Sequence, residues 1–240
     1  MKFILFIFCL LALNNSFAST NEKISNTLLV DSLSLKYLIK YSTVQTNKKK
    51  AIILLHGLGS NEEDLFSLAQ NLPKDYIIIC PRGLYTFSKG SYAWYNVDFS
   101  SGKPLYDAKQ ELQSRTMLLQ FIEQVKSKYQ IEELYVGGFS QGAIMSFTLG
   151  LEHPSTFKGI ICMSGRILQE IQPNIKENKE LSQLKIFLAH GTQDGTLSIN
   201  YAREAKNFLE KIHTQLSYFE FNMGHQICSE ELVKLVEWLD

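Results

Sequence analysis

Short, uninterrupted apolar runs alternate along the chain with longer stretches in which apolar and polar positions mix. An apolar run of about four to eight residues reads as a strand covered on both faces, and the mixed stretches read as helices with one buried side. The runs at residues 51–55, 76–80, 134–137, 159–163 and 185–189 predict such strands, and residues 217–221 predict a further one. Helices are predicted over residues 62–71, with Pro73 just beyond, over 107–129, over 141–152 up to His153-Pro154, over 197–212 and over 230–239. Residues 28–41 read as one or two leading strands, and residues 85–106 as an irregular segment rich in aromatics. Strands and helices that take turns imply a doubly wound α/β architecture, a mostly parallel sheet flanked by helices on both faces.

The first stretch does not fit that alternation. Lys2 is followed by an apolar run over residues 3–13, then by Asn14, Asn15 and Ser16 leading to Phe17 and Ala18. The run is about eleven residues long where a bilayer core needs ~20, so residues 1–18 read as a secretory signal cleaved after Ala18. Residues 19–240 are then expected to form one domain, exported to a periplasm or to the outside and not inserted in the membrane. Losing Lys2 from 24 basic side chains leaves 23 against 24 acidic ones. A chain so close to neutral has no basic face for nucleic acid or anionic lipid. Cys80, Cys162 and Cys228 remain, an odd number with no Cys-x-x-Cys pair, which argues against a thiol redox centre or a structural zinc site. No metal or organic cofactor is implied, and the chain is expected to be a monomer or homodimer.

The chemistry concentrates in Gly138-Phe139-Ser140-Gln141-Gly142, a Gly-x-Ser-x-Gly run between a predicted strand and a predicted helix. A serine on so tight a turn is strained, and side chains two residues to either side would collide with it or with a neighbouring strand. A serine hydroxyl needs a base, and in this context the partners follow in the order serine, acid, histidine. His225, on a Met223-Gly224 loop after the last strand, is the histidine that fits; His56, His153, His190 and His213 read as structural. Asp194, in the turn after the strand at 185–189, is the expected acid, ahead of Asp98 and Asp107, which precede the serine. The loop His56-Gly57-Leu58-Gly59 offers the backbone N–H of Leu58, and the residue after the serine offers that of Gln141, as a pair of donors for an oxyanion. Only these amides are expected to matter, not the two side chains.

Together these motifs resemble the phospholipase/carboxylesterase family of α/β-hydrolases, which includes acyl-protein thioesterases and small bacterial carboxylesterases. The resemblance spans nearly the whole chain after residue 18. It covers Leu55-His56-Gly57-Leu58-Gly59, Pro81-Arg82-Gly83 with Trp94, the serine turn, His190-Gly191-Thr192-Gln193-Asp194, and Gly224-His225 with the closing helix that carries Trp238. It implies the α/β-hydrolase fold, a triad of Ser140, Asp194 and His225, oxyanion amides at Leu58 and Gln141, and Trp94 as part of the wall of an acyl pocket. Family members are usually intracellular and often have an acidic residue where Ser60 stands here. Residues 166–184 are short and polar, too small for a helical lid, so an open cleft lined by Phe87, Tyr92, Trp94 and Tyr95 is expected. The expected substrate is a small-molecule acyl ester or thioester of short to medium chain length. The rival readings are a lysophospholipase or deacylase of acylated molecules, and a non-catalytic binding protein on the same scaffold.

Overall fold

The computed structural model describes residues 29–98, 100 and 105–240, and the expected export signal at residues 1–18 lies outside the described residues. In chain order the strands are β1 (Tyr37–Lys40), β2 (Lys50–Leu55), β3 (Tyr76–Pro81), β4 (Tyr85–Ser88), β5 (Ser91–Ala93), β6 (Val97–Asp98), β7 (Leu105–Tyr106), β8 (Glu133–Phe139), β9 (Gly159–Met163), β10 (Lys185–Gly191) and β11 (Gln215–Phe221). The helices are α1 (Glu62–Phe66), α2 (Ala108–Tyr129), α3 (Gln141–Glu152), α4 (Lys179–Gln183), α5 (Ile199–Lys211) and α6 (Ser229–Leu239).

Seven strands form one sheet in the order β1-β3-β2-β8-β9-β10-β11, parallel except for β1 at its edge. Because side chains alternate across a strand, each strand feeds two cores. In β2, Ile53 and Leu55 join the core under α2, α3 and α5, while Ile52 and Leu54 join the one under α1 and α6. That double coverage is why the middles of the central strands are apolar rather than alternating, while the edge strand β11 keeps Gln215, Ser217 and Glu220.

Several predicted boundaries shift. The helix predicted over 62–71 is α for one turn and then narrows to a 3-10 helix over Ser67–Gln70. Among its described residues, the leading segment contributes β1 and an isolated bridge from Val30 to Tyr37. The segment expected to be irregular holds two small hairpins, β4–β5 and β6–β7. Residues 166–184 carry no helical lid, α4 being five residues long, but they are less polar than expected. Ile167, Leu168, Ile171, Ile175, Leu181 and Leu184 are all buried in the main core, so the segment is a packed cover and not a loose strap.

From β2 the chain moves outward to β3 and then returns to lay β8 on the other side of β2. The order reverses between β2 and β8, and a crevice opens there at the carboxyl ends of the strands, which is where open α/β sheets bind ligands. The turn after β8 crosses this point at minimal separation. A Cβ on Gly142 would overlap the carbonyl of Leu55 at the end of β2, and one on Gly138 would overlap the same carbonyl and the backbone of Gly142. Gly142→Ala is therefore expected to destabilise the fold by about 4 kcal/mol or more, since only backbone moves could relieve the clash. Chemical denaturation of the two proteins side by side is the check, and a loss below about 1 kcal/mol would show that the turn tolerates a Cβ.

Candidate active site

Ser140 joins β8 to α3 with φ 55° and ψ −115°, a backbone conformation that non-glycine residues rarely adopt. Such strain persists only where the surroundings impose it. Here Ser140 N donates to Met163 O at the end of β9 (3.0 Å), and Gly138 and Gly142 press against β2. The residue's oxygen is thereby raised to the rim of the crevice.

The loops after β10 and β11 are stitched together: Thr192 N donates to Phe221 O (2.8 Å) and Gln193 N to Met223 O (3.0 Å). Those bonds set Asp194 beside His225. His225 Nδ1 donates to Asp194 Oδ2 at 2.7 Å, and Ser140 Oγ donates to His225 Nε2 at 2.9 Å. Three residues separated by 54 and 31 positions meet in one hydrogen-bonded line. The other acids considered, Asp98 and Asp107, are elsewhere: Asp107 caps α2, accepting from Lys109 N and Gln110 N, and Asp98 accepts from Ser100 N.

Asp194 has a fully buried side chain, whereas that of His225 is 19% exposed. Burial by itself would raise the Asp194 carboxyl. Hydrogen bonds from His190, His225 and the Leu197 amide, with the charge of His225, outweigh it and hold the group well below the usual carboxylate range. The acid therefore remains ionised at neutral pH and keeps the histidine proton on Nδ1, leaving Nε2 free to accept. Such a line can draw the proton from a serine hydroxyl as it attacks an acyl carbon.

Across the crevice, His56 ends β2 in the core. Gly83 N donates to His56 Nε2 (2.9 Å), so the ring proton is on Nδ1 and is donated to Gly57 O (2.8 Å). That carbonyl belongs to the same planar, trans peptide as the N–H of Leu58, so clamping the oxygen on one side aims the N–H to the other. Neither the Leu58 amide nor the Gln141 amide donates to an acceptor among the described residues. Burial depresses His56 below its usual value of 6.5, more than its bond to Gly57 and the charges of Asp64 and Glu62 restore it. The unfolded chain then binds a proton that the folded one refuses as pH falls through about 6.5, at up to ~1.4 kcal/mol per pH unit. Stability is expected to be level above neutrality and to decline as pH falls below about 6.5; Asp194 and Glu62, both held low, add their loss below about pH 4. Thermal denaturation across pH, with His56→Gln flattening the upper part of the slope, is the measurement.

Trp94 departs from expectation. It has no exposed surface: its indole N–H donates to His56 O (2.9 Å), its ring lies 5.3 Å from the His56 ring, and its carbonyl accepts from the Ser114 hydroxyl. It supports the His56-Gly57 loop from beneath and does not line the cleft, because the indole is spent on a backbone carbonyl inside the core. Tyr95 is buried as well. Of the four aromatics expected along the cleft, Phe87 is 51% exposed and stands beside Gly59, and Tyr92 is half-buried under the Arg82 guanidinium (4.5 Å).

The side chain of Gln141 is more than a bystander. Its Oε1 accepts from Trp94 N (2.9 Å) and its Nε2 donates to Tyr95 O (2.7 Å), tying the serine turn to the aromatic segment. A long polar side chain at the head of a helix that is buried from Gln141 to Leu151 was the signal that could have found it. Arg82 pairs in two-pronged fashion with the buried Glu62, holding α1 to the end of β3; these residues are 20 apart on different elements, and no spacing rule links them. No group of three or more His, Cys, Asp or Glu among the described residues could hold a metal ion, and no helix among them is long and apolar enough to cross a membrane. Cys80, Cys162 and Cys228 are free thiols, the first two buried.

Residues 41–240 match the family profile described as phospholipase/carboxylesterase. Acyl-protein thioesterase 1 of Kluyveromyces lactis is 29% identical over 209 residues, covering 80% of this chain and 91% of its own. Lysophospholipase-like protein 1 of Mus musculus is 26% identical, over 79% of this chain and 85% of its own. A carboxylesterase structure from Mesorhizobium loti superposes with a TM-score of 0.76 at 17% identity, over 89% of this chain and 98% of that one. The Bacillus cereus carboxylesterase gives 0.73 at 23% identity, over 85% and 92%. The solved structures share the α/β-hydrolase fold, and the profile match over most of the sequence carries the assignment further: the chain belongs to the phospholipase/carboxylesterase family.

Proposed function

We propose that this protein is a serine hydrolase that cleaves short- to medium-chain carboxylic esters or thioesters through an acyl-enzyme on Ser140. The observation that carries the reading is the unbroken line from Ser140 Oγ through His225 to the buried, ionised Asp194. In the first half-reaction His225 Nε2 takes the hydroxyl proton as Ser140 Oγ bonds to the acyl carbon. The imidazolium, steadied by Asp194, then protonates the departing alcohol or thiol. Water, deprotonated in turn by His225, attacks the ester of Ser140 and releases the acid. The N–H groups of Leu58 and Gln141 receive the developing oxyanion, each worth on the order of 3 kcal/mol of barrier.

The acyl range follows from the absence of a helical lid over residues 166–184 and from Phe87 at the cleft rim, which suit soluble substrates over a lipid interface. The relatives bear thioesterase, carboxylesterase and lysophospholipase-like names, in keeping with one acyl-transfer chemistry applied to different leaving groups. The apolar segment at residues 3–13 supports action outside the cytoplasm. A fluorophosphonate probe tests the reaction, and a panel of p-nitrophenyl esters of graded length beside matched thioesters tests the range. Covalent labelling together with a peak at short to medium chains is expected. A folded protein that neither labels nor hydrolyses would make it a binding scaffold, and strong activation by emulsified long-chain triglyceride would overturn the substrate range.

A further inference from the structure

The carboxylate of Asp194 accepts from three N–H donors, and a fourth nitrogen stands close by. Oδ1 accepts from the amides of Thr196 and Leu197, both at 2.8 Å. Oδ2 accepts from His225 Nδ1 at 2.7 Å and faces His190 Nε2 at 3.2 Å. His190 is the next-to-last residue of β10 and has no exposed surface. Its Nε2 also lies 2.7 Å from Leu197 O. A carbonyl and a carboxylate can only accept, so Nε2 carries the ring proton and shares it between the two. Nδ1 is buried and has no partner among the described residues. A leucine or phenylalanine would fill the same space without an orphaned nitrogen, which costs stability. Simple packing therefore does not account for an imidazole here, and what the ring adds is an Nε2–H that bonds Leu197 O and stands 3.2 Å from Asp194 Oδ2.

We propose that His190 is a positioning residue for hydrolysis: its Nε2–H shares the Asp194 oxygen that pairs with His225 and ties it to Leu197, fixing the carboxylate and limiting the negative charge it presents to His225. The proposal rests on the acyl-transfer reading given above. Two donors on one oxygen divide its lone pairs, so each bond is weaker than a single donor's would be. The effect suits a base that must be neutral before attack: a carboxylate facing His225 alone would hold the imidazolium more tightly and delay the return of its proton. Glu220 is the register partner of His190 on β11 and pairs with Arg203 of α5; on the other side, the residue that follows β9 is the uncharged Ser164. Because Glu220 is already neutralised by Arg203, Asp194 is the anion left for His190 to serve.

The test compares the full protein with His190→Phe, which fills the space without an N–H, and His190→Gln, whose amide keeps a donor. In the phenylalanine variant kcat/KM on a p-nitrophenyl ester is expected to fall about 10- to 100-fold, the range for lost partners behind a working imidazole. The acidic limb of its pH profile should move to higher pH, and the low-field proton resonance of His225 Nδ1–H should move further downfield. The glutamine variant should restore both. Equal losses in the two variants, with limb and resonance unmoved, would reduce His190 to packing. Should neither variant fold, long-range proton–nitrogen spectra of the unaltered protein decide: Nε2–H with bare Nδ1 on His190 supports the proposal, and the opposite tautomer overturns it. Unaltered protein without Ser140-dependent hydrolysis would instead sink the acyl-transfer reading itself.

Discussion

Ser140→Ala is expected to lower kcat on a p-nitrophenyl ester by on the order of 10⁶-fold, the loss that follows when the nucleophile of a cooperating triad is removed. The hydroxyl hydrogen-bonded to His225 Nε2 is that of Ser140, the group placed to form the acyl bond. The remaining rate, about 10³- to 10⁴-fold above water, should come from the oxyanion amides and from substrate binding. The fold should survive: alanine at φ 55° carries the same backbone strain as serine, and the hydrogen bond lost is to a partly exposed ring. A melting temperature equal to the parent's, with no covalent probe labelling, is the paired readout. Substantial turnover in a folded alanine variant would remove Ser140 from the mechanism.

Asp194→Asn is expected to cost about 10⁴-fold in kcat with KM little changed, because the defect is in proton transfer and not in binding. The asparagine oxygen can still accept from the amides of Thr196 and Leu197, so the turn is kept. Its NH2 then replaces Oδ2 and points a donor at two others, His225 Nδ1–H and His190 Nε2–H. The favoured escape is for His225 to move its proton to Nε2 and accept at Nδ1. In that tautomer the ring no longer accepts from Ser140, and the base is lost while the geometry remains. Loss of the low-field Nδ1–H resonance alongside the fall in kcat would separate this cause from misfolding. A kcat within tenfold of the parent's would mean that Asp194 does not set the tautomer.

The fold was legible where one physical rule acted alone. Residues 51–55 and 186–189 are apolar because β2 and β10 are covered on both faces. The glycines at 138 and 142 announced a close approach, and the structure identifies what approaches: the Leu55 carbonyl. Where two tendencies competed, sequence patterning misjudged the result. The aromatic segment looked irregular because its strands are two to four residues long, too brief for period-two alternation to register. Trp94 looked like a pocket wall because an indole suits both a cleft and a core, and its choice depended on the carbonyl of His56, 38 residues away.

Asp194 and His225 could be picked from chain order, yet their juxtaposition could not, since it depends on bonds between the loops after β10 and β11. His190 and the Gln141 side chain were passed over for the same reason: their partners are contacts across loops, not neighbours at a fixed spacing. The sequence by itself determined the layered α/β architecture, the strained serine turn and the order of the chemical groups, because periodicity and turn sterics act over a few residues. Only the tertiary structure decided which imidazole faces which carboxylate and which aromatic is buried, because those outcomes depend on hydrogen bonds and packing between segments that the chain holds far apart.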